Sequence, residues 1–339
     1  MRSLAVKYRP TSFDDVTEQG SVRLILENQI KTNTIKNGYL FAGGAGTGKT
    51  TCARIFANMI NNGHGVPIEL DAASNNSVDG IRRLTEDAQT QSIDSEYKVF
   101  ILDEVHSLSN QAWQAMLKTL EEPPAKSVFI MCTTNPEKIP ATILSRVQRY
   151  NFQRISLQGI VDRLRHICEK EFIAETETGE QSIEYIAKLA EGGMRDAITL
   201  MDKCLSYNEN LTVDNVVKAL GLADYDTMRD LFCAINDKDE KEILHIVNEV
   251  HYSGVDLKLF TKTFFEFILD LTIYQVTKSI GDTKIPNSYT NFLKKLSNND
   301  YNNARKLLST LLDVMSVIKW EQNPKMFIIA RLILFTEEL

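Results

Sequence analysis

The sequence predicts an α/β domain built on a parallel five-stranded sheet, followed by a chain that stays helical to its end. Three observations point there. Short, largely apolar runs alternate with helix-patterned segments from residue 20 to about 155. A glycine-rich stretch, Gly43-Gly44-Ala45-Gly46-Thr47-Gly48-Lys49-Thr50, stands between the first run and the helix after it. Beyond about residue 158 the strand signal fades and only helical spacing remains.

The runs at 39–42, 67–70, 99–102, 128–132 and 148–152 have the length of strands. Segments 50–60, 78–89 and 110–121 between them carry helical spacing. Strands joined through helices run parallel, are covered on both faces, and bind ligands beyond their carboxyl ends. In the second half, Ile160, Leu164 and Ile167 mark one helix, Ile183, Ile186 and Leu189 another, and a third runs from Arg195 to Cys204. Asn208, Glu209 and Asn210 form a polar break. Helical faces then recur at Ile243–Val247–Val250, at Leu257–Phe260–Phe264–Phe267–Leu271 and at Leu307–Leu311–Val314–Ile318. The expected domains are therefore 1–158, a small helical one at 159–208 and a larger helical one at 209–339. The last reads mostly as structural packing, with an oligomer interface as the alternative use of its long helices.

Composition bounds the function classes. The 339 residues suffice for two or three domains, and a hydrophobic fraction of 43% supplies a sizeable core. The formal charge of −7 gives no bulk attraction for nucleic acid, although local Lys, Arg and helix N-termini can still hold phosphates. Cys52, Cys132, Cys168, Cys204 and Cys233 are scattered, odd in number and without metal-ligand spacing, as expected of thiols in a reducing compartment. Residues 1–10 lack a signal-peptide pattern, and no uninterrupted apolar run is long enough to span a membrane. A cytoplasmic protein is expected.

The chemistry sits in two blocks. Residues 43–50 match the phosphate-binding loop pattern in full, in the strand-to-helix setting it requires. Glycines let successive backbone N–H groups turn toward phosphate oxygens, and the helix that follows adds its positive end. Lys49 is expected on the β and γ phosphates and the Thr50 hydroxyl on Mg2+, while Thr51 supports the start of the helix. The second block is Val99-Phe100-Ile101-Leu102-Asp103-Glu104. Asp103 would emerge at a strand end to hold Mg2+, with Glu104 polarising the attacking water; helix capping or surface charge is the bland alternative. Thr134 follows the next strand and is the candidate γ-phosphate sensor. Asn135 shares that segment, but it precedes Pro136 and suits a turn. Arg146 and Arg195 are candidates to stabilise charge developing during phosphoryl transfer, against the ordinary fate of a surface ion pair.

Beyond these blocks the chain carries Lys7-Tyr8-Arg9-Pro10, Phe13-Asp14-Asp15-Val16, Leu70-Asp71-Ala72-Ala73-Ser74, Asp103-Glu104-Val105-His106, Leu117-Lys118-Thr119-Leu120-Glu121-Glu122-Pro123-Pro124 and Arg195-Asp196-Ala197. In this order they resemble the ATPase subunits of DNA clamp loaders, bacterial DNA polymerase III gamma/tau subunits above all, from residue 6 to about 207. The resemblance implies an α/β AAA+ P-loop ATPase core, a small helical lid and an all-helical C-terminal collar. It implies ATP and Mg2+ as ligands, with Tyr8, Arg9 and Pro10 near the adenine. Arg146 becomes the finger reaching a neighbour's ATP, and Arg195 the lid arginine on the chain's own ATP. The implied partners are further copies of this chain and a distinct loader subunit in a pentamer, a sliding clamp, and primer-template DNA. The implied DNA contacts are Asn76, Ser77, Arg82 and Arg83, for which a capped helix with a solvated basic face is the alternative. The implied clamp contact lies at 89–95.

The departures are specific. The short segment Asn61-Asn62-Gly63-His64-Gly65 stands where gamma/tau proteins usually carry a four-cysteine zinc insertion, so no zinc module is expected. Ser145-Arg146-Val147 replaces the usual Ser-Arg-Cys. The chain ends after one collar-sized domain, without a tau-like extension. A compact loader of this kind suggests a bacteriophage large subunit, with a divergent bacterial or plasmid copy as the alternative. A branch-migration helicase motor, a nonhydrolysing structural loader subunit and a signalling ATPase are the competing functions.

Overall fold

A computed structural model describes residues 3–74, 78–171, 173, 177–221, 224–286 and 289–339. The chain forms two compact units, Met1–Ala174 with Ile186–Asp202, and Glu175–Tyr185 with Lys203–Leu339.

In the first unit the order is α1 (Leu4–Lys7), α2 (Gly20–Lys31), β1 (Gly38–Gly43), α3 (Lys49–Ile60), β2 (Ile68–Asp71), α4 (Val78–Ala88), β3 (Lys98–Asp103), α5 (Asn110–Glu121), β4 (Ser127–Thr133), α6 (Ala141–Leu144), β5 (Gln148–Phe152) and α7 (Leu157–Lys170). The division between units falls inside α8 (Glu177–Leu189) and α9 (Met194–Tyr207). All five strands pair in parallel, in the order β2-β3-β4-β1-β5. This is the sheet expected from the alternating pattern. The second strand begins at Ile68 rather than Pro67, because proline has no N–H for the ladder.

The two-residue period of a strand sorts the core onto two faces. Tyr39, Phe41, Val99, Ile101, Val128 and Ile130 pack with Leu26, Phe56 and Ile60 from α2 and α3. Leu40, Phe100, Leu102, Phe129 and Met131 pack with Ile81, Trp113 and Met116 from α4 and α5. Because β3, β4 and β1 are covered on both sides, they read as continuous apolar runs. The helix that opens at Asn110 is capped by Ser109, whose side chain accepts from the Ala112 N–H.

The second unit contains α10 (Val213–Leu220), α11 (Tyr225–Asn236), α12 (Glu240–Tyr252), α13 (Leu257–Thr277), α14 (Thr290–Lys295), α15 (Asn298–Val317) and α16 (Pro324–Glu338). Its centre is α13, whose Phe260, Phe264 and Phe267 stack in sequence with centroids 6.2 and 6.5 Å apart. Helix starts are fixed by side chains: Thr212, Asp224, Asp239 and Asp256 cap α10 to α13, and Ser297 with Asp300 forms a capping box on α15.

Phe129 has no exposed surface and stacks on Phe100 at 5.1 Å. Phe129→Ala should therefore destabilise the sheet-bearing unit by about 3–5 kcal/mol. Chemical denaturation checks this; a loss under about 1 kcal/mol, the range of a surface substitution, would contradict the assigned core.

Candidate active site

The carboxyl end of β1 sets the site. Gly43 lies opposite Phe152 of β5, and a Cβ there would sit 2.4 Å from the Phe152 carbonyl oxygen. Side-chain-free backbone lets the loop leave the sheet beside β5. Gly46 adopts φ +68° and is packed against Gly193, where the Met194 N–H donates to the Gly46 carbonyl at 3.0 Å. The first turn of α9 is thereby tied to the loop.

Lys49 opens α3 and is 6% exposed. Its ammonium donates to the Gly43 and Gly44 carbonyls at 2.9 and 2.7 Å. Burial pushes its pKa below the usual lysine value, opposed by Cys132, Glu104 and Asp103 nearby. A buried ammonium hydrogen-bonded to neutral carbonyls, at a helix N-terminus, is a fit for anionic phosphates. The Thr50 hydroxyl donates to Asp103 Oδ2 at 2.7 Å, which brings together two oxygen ligands of the type Mg2+ prefers. Magnesium, when bound, would neutralise phosphate charge there. Thr50 and Asp103 would hold it.

Glu104 turns off the end of β3 with φ +49°. Its Oε2 accepts from the Thr134 hydroxyl at 3.0 Å and from the Thr134 N–H at 3.4 Å. The acid and the sensor candidate thus meet directly. Asn135 takes the turn role: its N–H donates to Thr133 Oγ1 at 3.0 Å, and it precedes the 3-10 turn Pro136–Lys138. Thr134 lines the central cavity, whereas Asn135 does not.

That cavity has a volume of about 280 Å³ and is also lined by Tyr8, Arg9, Pro10, Ala45, Gly46, Thr47, Gly48, Lys49, Thr50, Thr51, Asp103, Glu104 and Arg195. Tyr8 is anchored from below, because its hydroxyl and the Lys7 ammonium both donate to Glu171. Those two donors hold the Glu171 carboxyl below the usual range. Burial, then the bond to Glu171, raises the Tyr8 phenol.

Arg146 lies elsewhere. It precedes β5, and a Cβ on Gly38 at the start of β1 would lie 3.5 Å from the Arg146 carbonyl. From Gly38 to Gly43 is five strand steps of about 3.3 Å, so the chain's own phosphate loop begins about 16 Å away, at the other edge of the sheet. The guanidinium donates to Glu121 Oε1 at 2.6 Å, the Thr142 carbonyl at 2.5 Å and Ser145 Oγ at 3.0 Å. A solvent-facing pair like this is worth about 1 kcal/mol at most.

Of the nucleic-acid candidates, Arg82 and Arg83 are exposed on α4, and Arg82 pairs with Asp79 at 3.6 Å. Asn76 and Ser77 lie outside the described residues. The connection at 89–95 presents Ile93 at 98% exposure.

Sequence reasoning missed four residues here. Gln19 is buried; its amide donates to the Gln153 carbonyl at 2.7 Å and accepts from the Gln153 N–H at 3.1 Å, pinning the entry to α2 beside β5. Arg163 on α7 lines the cavity and donates to the Tyr8 carbonyl at 2.9 Å. Asp196 lines it beside Arg195, and His106 lies against Glu104. Only the Asp103-Glu104-Val105-His106 and Arg195-Asp196 strings offered a signal. Gln19 and Arg163 act through contacts more than a hundred residues distant in sequence.

Among the described residues no cluster of three or more His, Cys, Asp or Glu could hold a metal, and no helix is long and apolar enough to cross a membrane. Cys52, Cys132, Cys168 and Cys204 are buried, and burial pushes the Cys52 thiol up to about 12.

The fold is similar to the Thermotoga maritima RuvB Holliday junction branch migration motor, with a TM-score of 0.53 and 18% identity over 74% of this chain and 86% of that one. Fold and site together define the AAA+ class of P-loop ATPases. Family descriptions narrow this. Residues 66–156 match "DNA polymerase III, delta subunit", 159–210 match "DNA polymerase III clamp loader subunit, ATPase lid domain", and 211–308 match "DNA polymerase III subunits gamma and tau domain III". The DNA polymerase III subunit gamma of Buchnera aphidicola subsp. Acyrthosiphon pisum is 30% identical, with 95% of each chain covered. The chain belongs to the DNA polymerase III gamma/tau family of clamp loader subunits. Bacillus subtilis DNA polymerase III subunit tau is 34% identical over 94% of this chain, and Mycoplasma genitalium subunit gamma/tau 34% over 81%. The chain spans 60% and 49% of those two proteins.

A ligand that binds only the folded chain at 100 times its Kd adds about 2.7 kcal/mol. Mg2+-ATP should stabilise this chain by that order in a thermal-shift titration, and Lys49→Ala should abolish the shift. An undiminished shift in the variant would remove Lys49 from the phosphate site.

Proposed function

We propose that this chain is the ATPase motor subunit of a sliding-clamp loader, which opens the clamp and places it on primer-template DNA. The observation that carries this reading is the separation within one chain: Lys49, Thr50, Asp103 and Glu104 cluster at one sheet edge, and Arg146 stands at the opposite edge. A finger arginine in that position can serve only the site of an adjacent subunit. Membership in the gamma/tau family supports the same assembly.

In this account Lys49 and the loop N–H groups bind the phosphates, and Tyr8, Arg9 and Pro10 border the base. Thr134 and Asn135 form the sensor segment, and Arg195 contacts the ATP on its own subunit. Glu104 takes a proton from the attacking water. ATP binding joins neighbours through Arg146, and the joined state grips clamp and DNA. Hydrolysis removes the phosphate that Arg146 holds, so affinity for clamp and DNA falls together. That difference in affinity between two states is the required coupling. Asn76, Ser77, Arg82 and Arg83 are the proposed DNA backbone contacts. Exposed Ile93 gives the proposed clamp contact at 89–95 an apolar anchor. Residues 209–339 are proposed as the oligomerising collar, with a distinct subunit completing the pentamer. A cytoplasmic setting is proposed, in keeping with relatives from bacteria, and a bacteriophage source is proposed from the short segment at 61–65.

The competing helicase reading draws on the fold likeness, which at 18% identity speaks for the fold only. A nonhydrolysing role is disfavoured by the intact Lys49, Asp103 and Glu104.

The test is an ATPase assay with partner subunit, clamp and primed DNA added stepwise. Strong stimulation requiring both clamp and primed DNA is expected, and Arg146→Ala should lower the stimulated rate about 10³-fold while leaving ATP binding in place. DNA unwinding without a clamp requirement, or full activity in Arg146→Ala, would contradict the account.

A further inference from the structure

We infer that His106 is a positioning residue for Glu104, fixing which carboxylate oxygen receives the water's proton; this rests on the reading of Glu104 as the water-activating acid. Three polar contacts, two of them hydrogen bonds from Thr134, converge on one oxygen. Glu104 Oε2 lies 3.0 Å from Thr134 Oγ1, 3.4 Å from the Thr134 nitrogen and 3.1 Å from His106 Nδ1. Among the described residues no donor engages Oε1. A carboxylate only accepts, so this contact is favourable in the tautomer that carries the proton on Nδ1. The terminal torsion of a free glutamate is broad and nearly two-fold, so an unheld carboxylate presents either oxygen. Engaging Oε2 alone removes that ambiguity and leaves Oε1 to act as the base.

Backbone geometry delivers the imidazole to this place. Glu104 at φ +49° starts the 3-10 turn Val105–Ser107, closed by the Ser107 N–H on the Glu104 carbonyl at 2.9 Å. The turn folds His106 back over Glu104, with Val105 buried beneath it and the imidazole 18% exposed. His106 Nδ1 is also 3.2 Å from Thr133 Oγ1, which accepts the Asn135 N–H at 3.0 Å. His106 therefore ties the end of β3 to the end of β4, and any shift of the Thr134 segment on meeting a phosphate is passed to the Glu104 carboxylate.

The test is single-turnover ATP hydrolysis in the assembled loader with clamp and primed DNA, run beside ATP-affinity measurements. His106→Leu keeps bulk without the donor. His106→Asn can return an N–H near the place of Nδ1. Small displacements of a reacting group cost up to about 100-fold, so His106→Leu should slow hydrolysis about 10- to 100-fold. Its ATP affinity should be retained, and His106→Asn should recover most of the rate. In a Glu104→Gln background, His106→Leu should add no further loss, because the residues act as one unit. Wild-type hydrolysis in His106→Leu would overturn the inference. So would no recovery in His106→Asn, an affinity loss matching the rate loss, or an undiminished further loss in the Glu104→Gln background. Glu104→Gln turning over at the wild-type rate would sink the acid assignment and this inference with it. An inactive Glu104→Gln beside an unimpaired His106→Leu would sink the inference alone.

Discussion

Parallel pairing is the constraint on which the rest depends. Because all five strands point the same way, every carboxyl end reaches one edge of the sheet and every amino end the other. Gly43, Asp103 and Thr133 end neighbouring strands, so the phosphate loop, the acidic pair and Thr134 converge without any long loop having to be ordered. The same constraint separates Arg146, which enters β5 at the amino edge. Division of the proposed chemistry between subunits is thus a consequence of strand direction.

Within the converged site, charge is left poised. Lys49 is buried on backbone carbonyls, which do not neutralise it, and its lowered pKa records that cost. Phosphate would relieve it. The Thr50–Asp103 bond holds two oxygens together where a divalent cation would be shared. Arg146 is held by a solvent-facing carboxylate. Each of these contacts is cheap to give up in favour of a nucleotide, which is the property a binding site needs if binding is to change assembly.

Much of this was legible in the sequence. Strands covered on both faces appear as unbroken apolar runs, so 99–102 and 128–132 stood out, and a loop cradling phosphate needs glycine at fixed spacing, so residues 43–50 did too. The edge strand at 68–71 is mostly exposed and gave a weaker pattern, displaced by one residue. Gln19 and Arg163 were illegible because their roles exist only through partners far along the chain. His106 could be read as part of a string but not as a contact, since only the positive φ of Glu104 turns it back. In the second unit, uniform helical spacing hid the ends of α10, α11, α14 and α16, which are set by caps and short turns rather than by apolar periodicity.

The central claim is that one subunit binds the triphosphate and the next supplies Arg146. Mixing Lys49→Ala chains with Arg146→Ala chains, in loaders with clamp and primed DNA, tests it most directly. Each variant alone should be inactive, and the mixture should regain hydrolysis, because a Lys49→Ala neighbour still offers its arginine to an intact phosphate site. A mixture as inactive as its components, with assembly intact, would contradict the account.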